Sequence, residues 1–149
     1  MYLLLQKKQE TKINIAVIID NKITSGGGFQ ASLSLISILN SNKSEDYNFI
    51  FYTTINENVS FFKKRDVKIS LINIGTVDKI YYFLKSNKVF RHFLKFIELK
   101  LDIVFKKDNV DLVYFVTQSS LYKYTENYNF IYTLWDLCHR DFPEFPEVS

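Results

Sequence analysis

The segment KINIAVIID, Lys12 to Asp20, restricts the fold more than any other stretch of this chain. Apolar and mostly β-branched residues run almost continuously from Ile13 to Ile19. A short continuous apolar run of this kind suits a strand buried on both faces, as inside a parallel sheet. NKITSGGG follows as a loop and gathers three of the four glycines in the chain. FQASLSLISILN then sets Leu33, Ile36 and Leu39 on one helical face, with small Ser and Ala residues between. Strand, glycine loop and helix together open a βαβ unit.

The alternation repeats along the chain. YNFIFYTT (Tyr47 to Thr54) reads as a second strand, and VKISLINI (Val67 to Ile74) as a third. From Val77 to Lys107 the period is helical: Phe90, Leu94, Ile97, Leu101 and Val104 recur at four and three residues in one apolar stripe. Ser86 to Lys88 is the point at which this segment divides into two helices. VDLVYFVT (Val110 to Thr117) gives a fourth strand and YNFIYTLW (Tyr128 to Trp135) a fifth, again a buried one. Strands separated by helices predict an α/β fold, a doubly wound and mainly parallel sheet with helices on both faces. Right-handed crossovers then bring the loops after the strands to one edge, where ligands of such folds bind. Three loops are expected to meet there: SGGG after the first strand, TQSS after the fourth and WDLCH after the fifth.

With 149 residues the chain fits a single domain, 1–149, and its 47% hydrophobic content supplies one core. A lone cysteine excludes an internal disulfide and fits a reducing cytoplasm. The apolar run Tyr2 to Leu5 is too short for a signal peptide, and nothing reaches the ~20 residues of a membrane-spanning helix. The chain therefore reads as soluble, or at most peripheral to a membrane. Net charge is +3, too small to imply nucleic-acid binding. Its distribution is uneven: Lys63 to Lys107 has twelve basic residues against four acidic, and Asp136 to Ser149 one against four. Two surfaces with different partners follow from that split.

Gly26, Gly27 and Gly28 stand at the strand-to-helix junction. Glycine permits positive φ and close approach of a ligand to backbone amides. The helix after it offers unpaired N–H groups to a phosphate. The loop matches neither dinucleotide nor Walker spacing, and a plain flexible turn explains it as well. Asp136 and His139 follow the fifth strand. Such a carboxylate holds a sugar hydroxyl or orients the imidazole, and the imidazole donates to a hydroxyl or phosphate. Equally, Asp136 caps the turn. Cys138 and His139 are neighbours that point apart, so a thiolate–imidazole pair is not expected, and Cys138, His139 and distant His92 do not make a metal site. Pro143 and Pro146 stiffen DFPEFPE around Glu144, either as an irregular exit from the sheet or as a rigid cleft lining. Lys88, Arg91 and Lys95 share a basic face near Phe90, Phe93 and Phe96, read either as a solvated face or as a dock for anionic lipid.

INIAVIIDNKITSGGGFQASLSLISIL, followed after four more elements by YTLWDLCHRDFPEFPEV, resembles the amino-terminal half of GT-B glycosyltransferases, most closely the large retaining family 4. The resemblance runs from Ile13 to Val148, and its most specific part is WDLCHRDFPEFPE. It implies a Rossmann-like, acceptor-side domain of a nucleotide-sugar-dependent transferase that uses no metal and no further cofactor. Bacterial surface polysaccharide or glycolipid synthesis is the implied setting, in the cytoplasm or on the inner membrane face. Implied partners are a sugar or lipid-linked sugar acceptor and a carboxyl-terminal, donor-binding domain. That second domain is expected to be absent, leaving a truncated frame, a fragment or a split-enzyme subunit inactive alone. Carried over, Gly26 to Gly28 face the donor diphosphate and sugar across the cleft, and Asp136 and His139 lie near the reacting centre; Gln118, Ser119, Trp135 and Glu144 are expected, from their place on the same rim, to bind substrate. Where the family segment begins His-Asp, this chain has Trp135-Asp136. A non-catalytic phosphate-binding module and an inert remnant stand as the alternatives.

Overall fold

The computed structural model describes residues 12–22, 26–42, 44–85 and 98–134. In chain order they form β1 (Ile13–Ile18), α1 (Gly26–Ser41), β2 (Tyr47–Thr53), α2 (Asn56–Lys63), β3 (Ile69–Leu71), α3 (Thr76–Lys85), α4 (Lys100–Lys107), β4 (Leu112–Phe115), a 3-10 turn (Ser120–Tyr124) and β5 (Asn129–Tyr132). The strands make one sheet in the order β3-β2-β1-β4-β5, and every pairing is parallel. This is the α/β, Rossmann-like arrangement expected from the alternation of strands and helices.

Register explains why β1 is apolar at every second position on both sides. Ala16 and Ile18 point to one face, where Tyr52, Val113 and Phe115 meet Leu101 and Phe105 of α4. Ile15, Val17 and Ile19 point to the other, where Phe51 meets Ile36 of α1 and Phe62 of α2. Each face is thus covered by helices, so the sheet is doubly wound. Phe105 is fully buried and packs its ring 5.5 Å from Tyr52 and 5.2 Å from Tyr128. Burial, reinforced by the hydrogen bond to Asp108 at 2.5 Å, drives the Tyr52 phenol far above its ordinary range.

Two helices end in the same device. After α2, Val67 N–H reaches Phe62 O and Asp66 N–H reaches Lys63 O. After α4, Val110 N–H reaches Phe105 O and Asn109 N–H reaches Lys106 O. These are Schellman closures, with the left-handed position filled by Asp66 (φ 58°) and Asn109 (φ 49°) instead of glycine. Buried Val67 and Val110 follow and turn the chain into β3 and β4.

Four expectations need correction. The third strand is only Ile69–Leu71, because Val67 and Lys68 still belong to the closure of α2 and the chain beyond Ile72 turns away. Gly26 to Gly28 are not a loop but the first turn of α1, with Ser32 Oγ donating back to Gly28 O. The helical stripe running to Val104 is interrupted at Leu99, whose extended backbone (φ −78°, ψ 152°) starts α4 afresh. The fifth strand is not buried: it is an edge strand with Phe130 48% and Ile131 53% exposed. Phe90, Leu94 and Ile97 lie outside the described residues, as do Ser86 to Lys88.

Candidate functional site

In a sheet of this order the chain reverses its direction of travel between β1 and β4. The crevice outside their carboxyl ends is where such folds place ligands. Asp20, two residues past β1, occupies that position. Its Oδ1 accepts from the backbone N–H of Thr54 at 3.1 Å and from the Thr54 hydroxyl. Its Oδ2 accepts from Ser119 Oγ at 2.5 Å. Ser119 N–H in turn donates to Tyr132 Oη at 2.9 Å, and Ser119 Oγ accepts from Leu121 N–H at 3.1 Å to start the 3-10 turn. One carboxylate therefore ties together the ends of β2, β1 and β4, and Ser119 extends the chain of bonds to β5.

Beside this tie lies a second polar group. Asn58, fully buried in the first turn of α2, donates from Nδ2 to Asn21 O at 3.0 Å, Thr53 Oγ1 at 3.1 Å and Ile19 O at 3.5 Å. Asn21 donates from its own amide to Ser32 Oγ at 3.5 Å. Three buried oxygens, on the loops after β1 and β4 and in the first turn of α2, have no hydrogen-bond partner among the described residues: Asn21 Oδ1, Thr117 Oγ1 and Asn58 Oδ1. Thr117 stands two residues past β4, level with Asp20 in the register that pairs Ile18 with Phe115. Unpaired buried polar atoms cost roughly 1–3 kcal/mol each, so a cluster of them at the carboxyl edge of the sheet calls for an explanation.

Further along the same edge, Asp78 is 2% exposed and caps two helices at once. Its Oδ2 accepts from Gly75 N–H at 2.7 Å before α3, and its Oδ1 from Lys100 N–H at 3.1 Å at the start of α4. A Cβ on Gly75 would stand 3.1 Å from Lys100 Nζ and 3.2 Å from Asp78 Oδ2, so both side chains would have to shift slightly to admit one.

Of the residues singled out in the sequence, Ser119 is buried and Gln118 exposed, one residue apart on the loop after β4. The loops after β1 and β4 do meet, through Asp20 and Ser119. Gly28 is not in the left-handed region, and no described atom lies within 4 Å of where its Cβ would stand. Trp135, Asp136, Cys138, His139, Glu144 and both prolines lie outside the described residues, as do His92, Lys88, Arg91, Lys95 and the phenylalanines beside them. Among the described residues no three His, Cys, Asp or Glu side chains are grouped to hold a metal ion. No helix among them is long and apolar enough to cross a membrane.

Asp20, Thr54, Asn58 and Thr117 escape a search for known motifs. Asp20 nevertheless had a visible signal: it is the first charged residue after the apolar run of β1, the same placement that draws attention to Asp136. Asn58 had none, since nothing in its neighbours shows that it points into the protein.

The fold and this edge define a Rossmann-like α/β domain with a cluster of polar groups at the switch between β1 and β4. No protein-family model matches the chain, and no curated protein matches it. Among solved structures it is similar to a glycosyltransferase from Rickettsia africae ESF-5, at 17% identity and a TM-score of 0.46. That match covers 83% of this chain and 30% of the glycosyltransferase.

Proposed function

We propose that this chain is the acceptor-side domain of a retaining, nucleotide-sugar-dependent glycosyltransferase of the GT-B type, family 4-like, acting in bacterial surface polysaccharide or glycolipid synthesis in the cytoplasm. Two independent lines support the reading. One is the resemblance of the 13–39 and 132–148 segments to that family. The other is the polar edge itself, and it is the observation that carries the reading: Asp20, Thr54 and Ser119 are bonded together at the switch between β1 and β4, where folds of this kind bind their ligands.

In this proposal Asp20 does no chemistry of its own. All its described bonds go to neighbouring loops, so it fixes their spacing. Asp136 and His139 act at the reacting centre, with the imidazole giving or taking a proton at the acceptor hydroxyl. Gln118, Ser119, Trp135 and Glu144 shape the substrate side, and the amides of Gly26 to Gly28 face the donor diphosphate held by a second domain. The partners are a sugar or lipid-linked sugar and that donor-binding domain, with no metal and no nucleic acid.

The test is transfer from labelled nucleotide-sugars by this chain combined with a donor-binding domain. Replacing Asp136 and His139 together by Ala is expected to lower transfer by ~100-fold or more. Transfer that survives the double change removes both from the reacting centre. Calorimetry on the chain alone distinguishes the phosphate-module alternative: nucleotide binding abolished by Gly27→Val, with no sugar binding, would replace this proposal.

A further inference from the structure

β3 is the outer strand of the sheet on the β2 side. Ile72 N–H donates to Thr53 O at 2.8 Å, so by the alternation of a strand the N–H and C=O of Leu71 point away from β2. No described strand pairs with that side. Beside it, where the last turns of α2 meet the start of β3, lies a groove of about 310 Å³ lined by Val59, Lys63, Asp66, Val67, Lys68 and Ile69. Its floor is apolar and recessed, with Val67 7% and Ile69 8% exposed.

The rim of the groove is basic. Lys63, Lys64, Arg65 and Lys68 gather around the closure of α2 against the single carboxylate of Asp66. Arg65 is engaged with Phe61, its guanidinium 3.6 Å from the ring centre and Nη1 donating to Phe61 O. Lys63, Lys64 and Lys68 are exposed, and their ammonium groups make no hydrogen bond or ion pair among the described residues. Glu57, the acid of α2, stands in its first turn at the other end of the helix. Lysines on a free strand edge repel a second copy of that edge and admit an acidic strand. The recessed floor offers nothing to insert into a bilayer, and a strand edge is matched by another peptide backbone.

We infer that this groove takes an extended acidic segment of a partner protein, which adds to the sheet beside β3. Its backbone bonds the free side of Leu71, its carboxylates meet Lys63 and Lys68, and an apolar side chain rests on Val59, Val67 and Ile69. Alternation of acidic and apolar residues is what such a segment needs, because successive side chains of a strand point to opposite faces. This docking needs no glycosyl transfer and stands or falls apart from it.

Fluorescence anisotropy of the full chain with a labelled Glu-Val-Asp-Ile-Glu-Val-Asp peptide tests the inference. A peptide of the same composition, with its acids grouped at one end, is the comparison. The alternating peptide should bind ~tenfold tighter, and added salt should weaken it. Lys63→Glu with Lys68→Glu should lower its affinity by ~tenfold or more. Leu71→Pro removes an N–H from the free side alone and should lower affinity on the order of tenfold. Circular dichroism establishes that each variant is folded, and the lysine pair gives an independent readout should Leu71→Pro fail that check. The inference is overturned if the wild-type chain binds neither peptide, or if folded variants bind as it does. Equal binding of the two peptides, or tighter binding of an oligonucleotide or of phosphatidylglycerol vesicles, would also overturn it, assigning the lysines to anions in general.

Discussion

The hydroxyl of Ser119 donates to the carboxylate of Asp20 at 2.5 Å across 99 residues of sequence. That bond joins the ends of β1 and β4 at the point where the sheet changes direction, and Thr54 occupies the other oxygen of the same carboxylate. One acidic side chain therefore adds to the backbone bonds at this edge, which run from Ile19 N–H to Tyr52 O and from Val116 N–H to Ile18 O.

Asp20→Ala removes the acceptor for three hydrogen bonds and should cost roughly 2–4 kcal/mol, since bonds to a charged group exceed neutral ones. Urea denaturation measures it. A loss below about 0.5 kcal/mol, as for an ordinary surface change, would mean that the three loops hold together without it.

Asp102, 7% exposed in the first turn of α4, gives a pH-dependent prediction. Burial raises its carboxyl above the usual 3.8, and hydrogen bonds from Asn127 and the Leu99 backbone only partly oppose this. The native state thus holds the proton more tightly than the unfolded chain. Ionised Asp102 penalises folding at neutral pH, and the penalty is lifted as pH falls through the raised value. Asp102→Asn should be more stable than wild type near pH ~7, with the gap closing towards pH ~4. Melting temperatures across that range decide the sign; a gap that widens on acidification contradicts the assignment.

The left-handed residues Asp66 and Asn109 should each gain from glycine by about 0.5–1 kcal/mol, because no Cβ then opposes positive φ. Valine at either site should instead lose ~1–2 kcal/mol or more. Chemical denaturation of the four variants checks the pattern, and equal effects of Gly and Val would argue against a left-handed conformation at those sites.

Asp78→Ala leaves two helix starts without their acceptor and should cost ~2 kcal/mol, about twice a single cap. Hydrogen exchange should show faster amides at both Gly75 and Lys100. Acceleration at only one of them would mean that the carboxylate serves a single helix.

Much of the architecture was legible because its signals are local. β1 announced itself through Ile13 to Ile19, and the alternation of strands and helices carried the sheet type. What was not legible depends on distance. The edge position of β5 follows from pairing order, which a run such as YNFIYTLW does not contain. The helical state of Gly26 to Gly28 opposes their intrinsic preference and is supported by Ser32 reaching back to Gly28. The polar crevice was half visible: the loop after β4 was named, whereas Asn58 and Thr54 reach it from β2 and α2, whose loop offered no motif.

The central placement of β1 also bears on how the chain assembles during synthesis. Its bond from Asn48 to Asn14 spans 34 residues, whereas the bond from Asn14 to Asp111 on its other flank spans 97. The layer built by α1 and α2 can therefore condense while the ribosome is still working, but one margin of the first strand stays vacant until β4 emerges. For that interval the most apolar strand of the molecule is a waiting template, and a chaperone that shields Ile13 to Ile19 would act there.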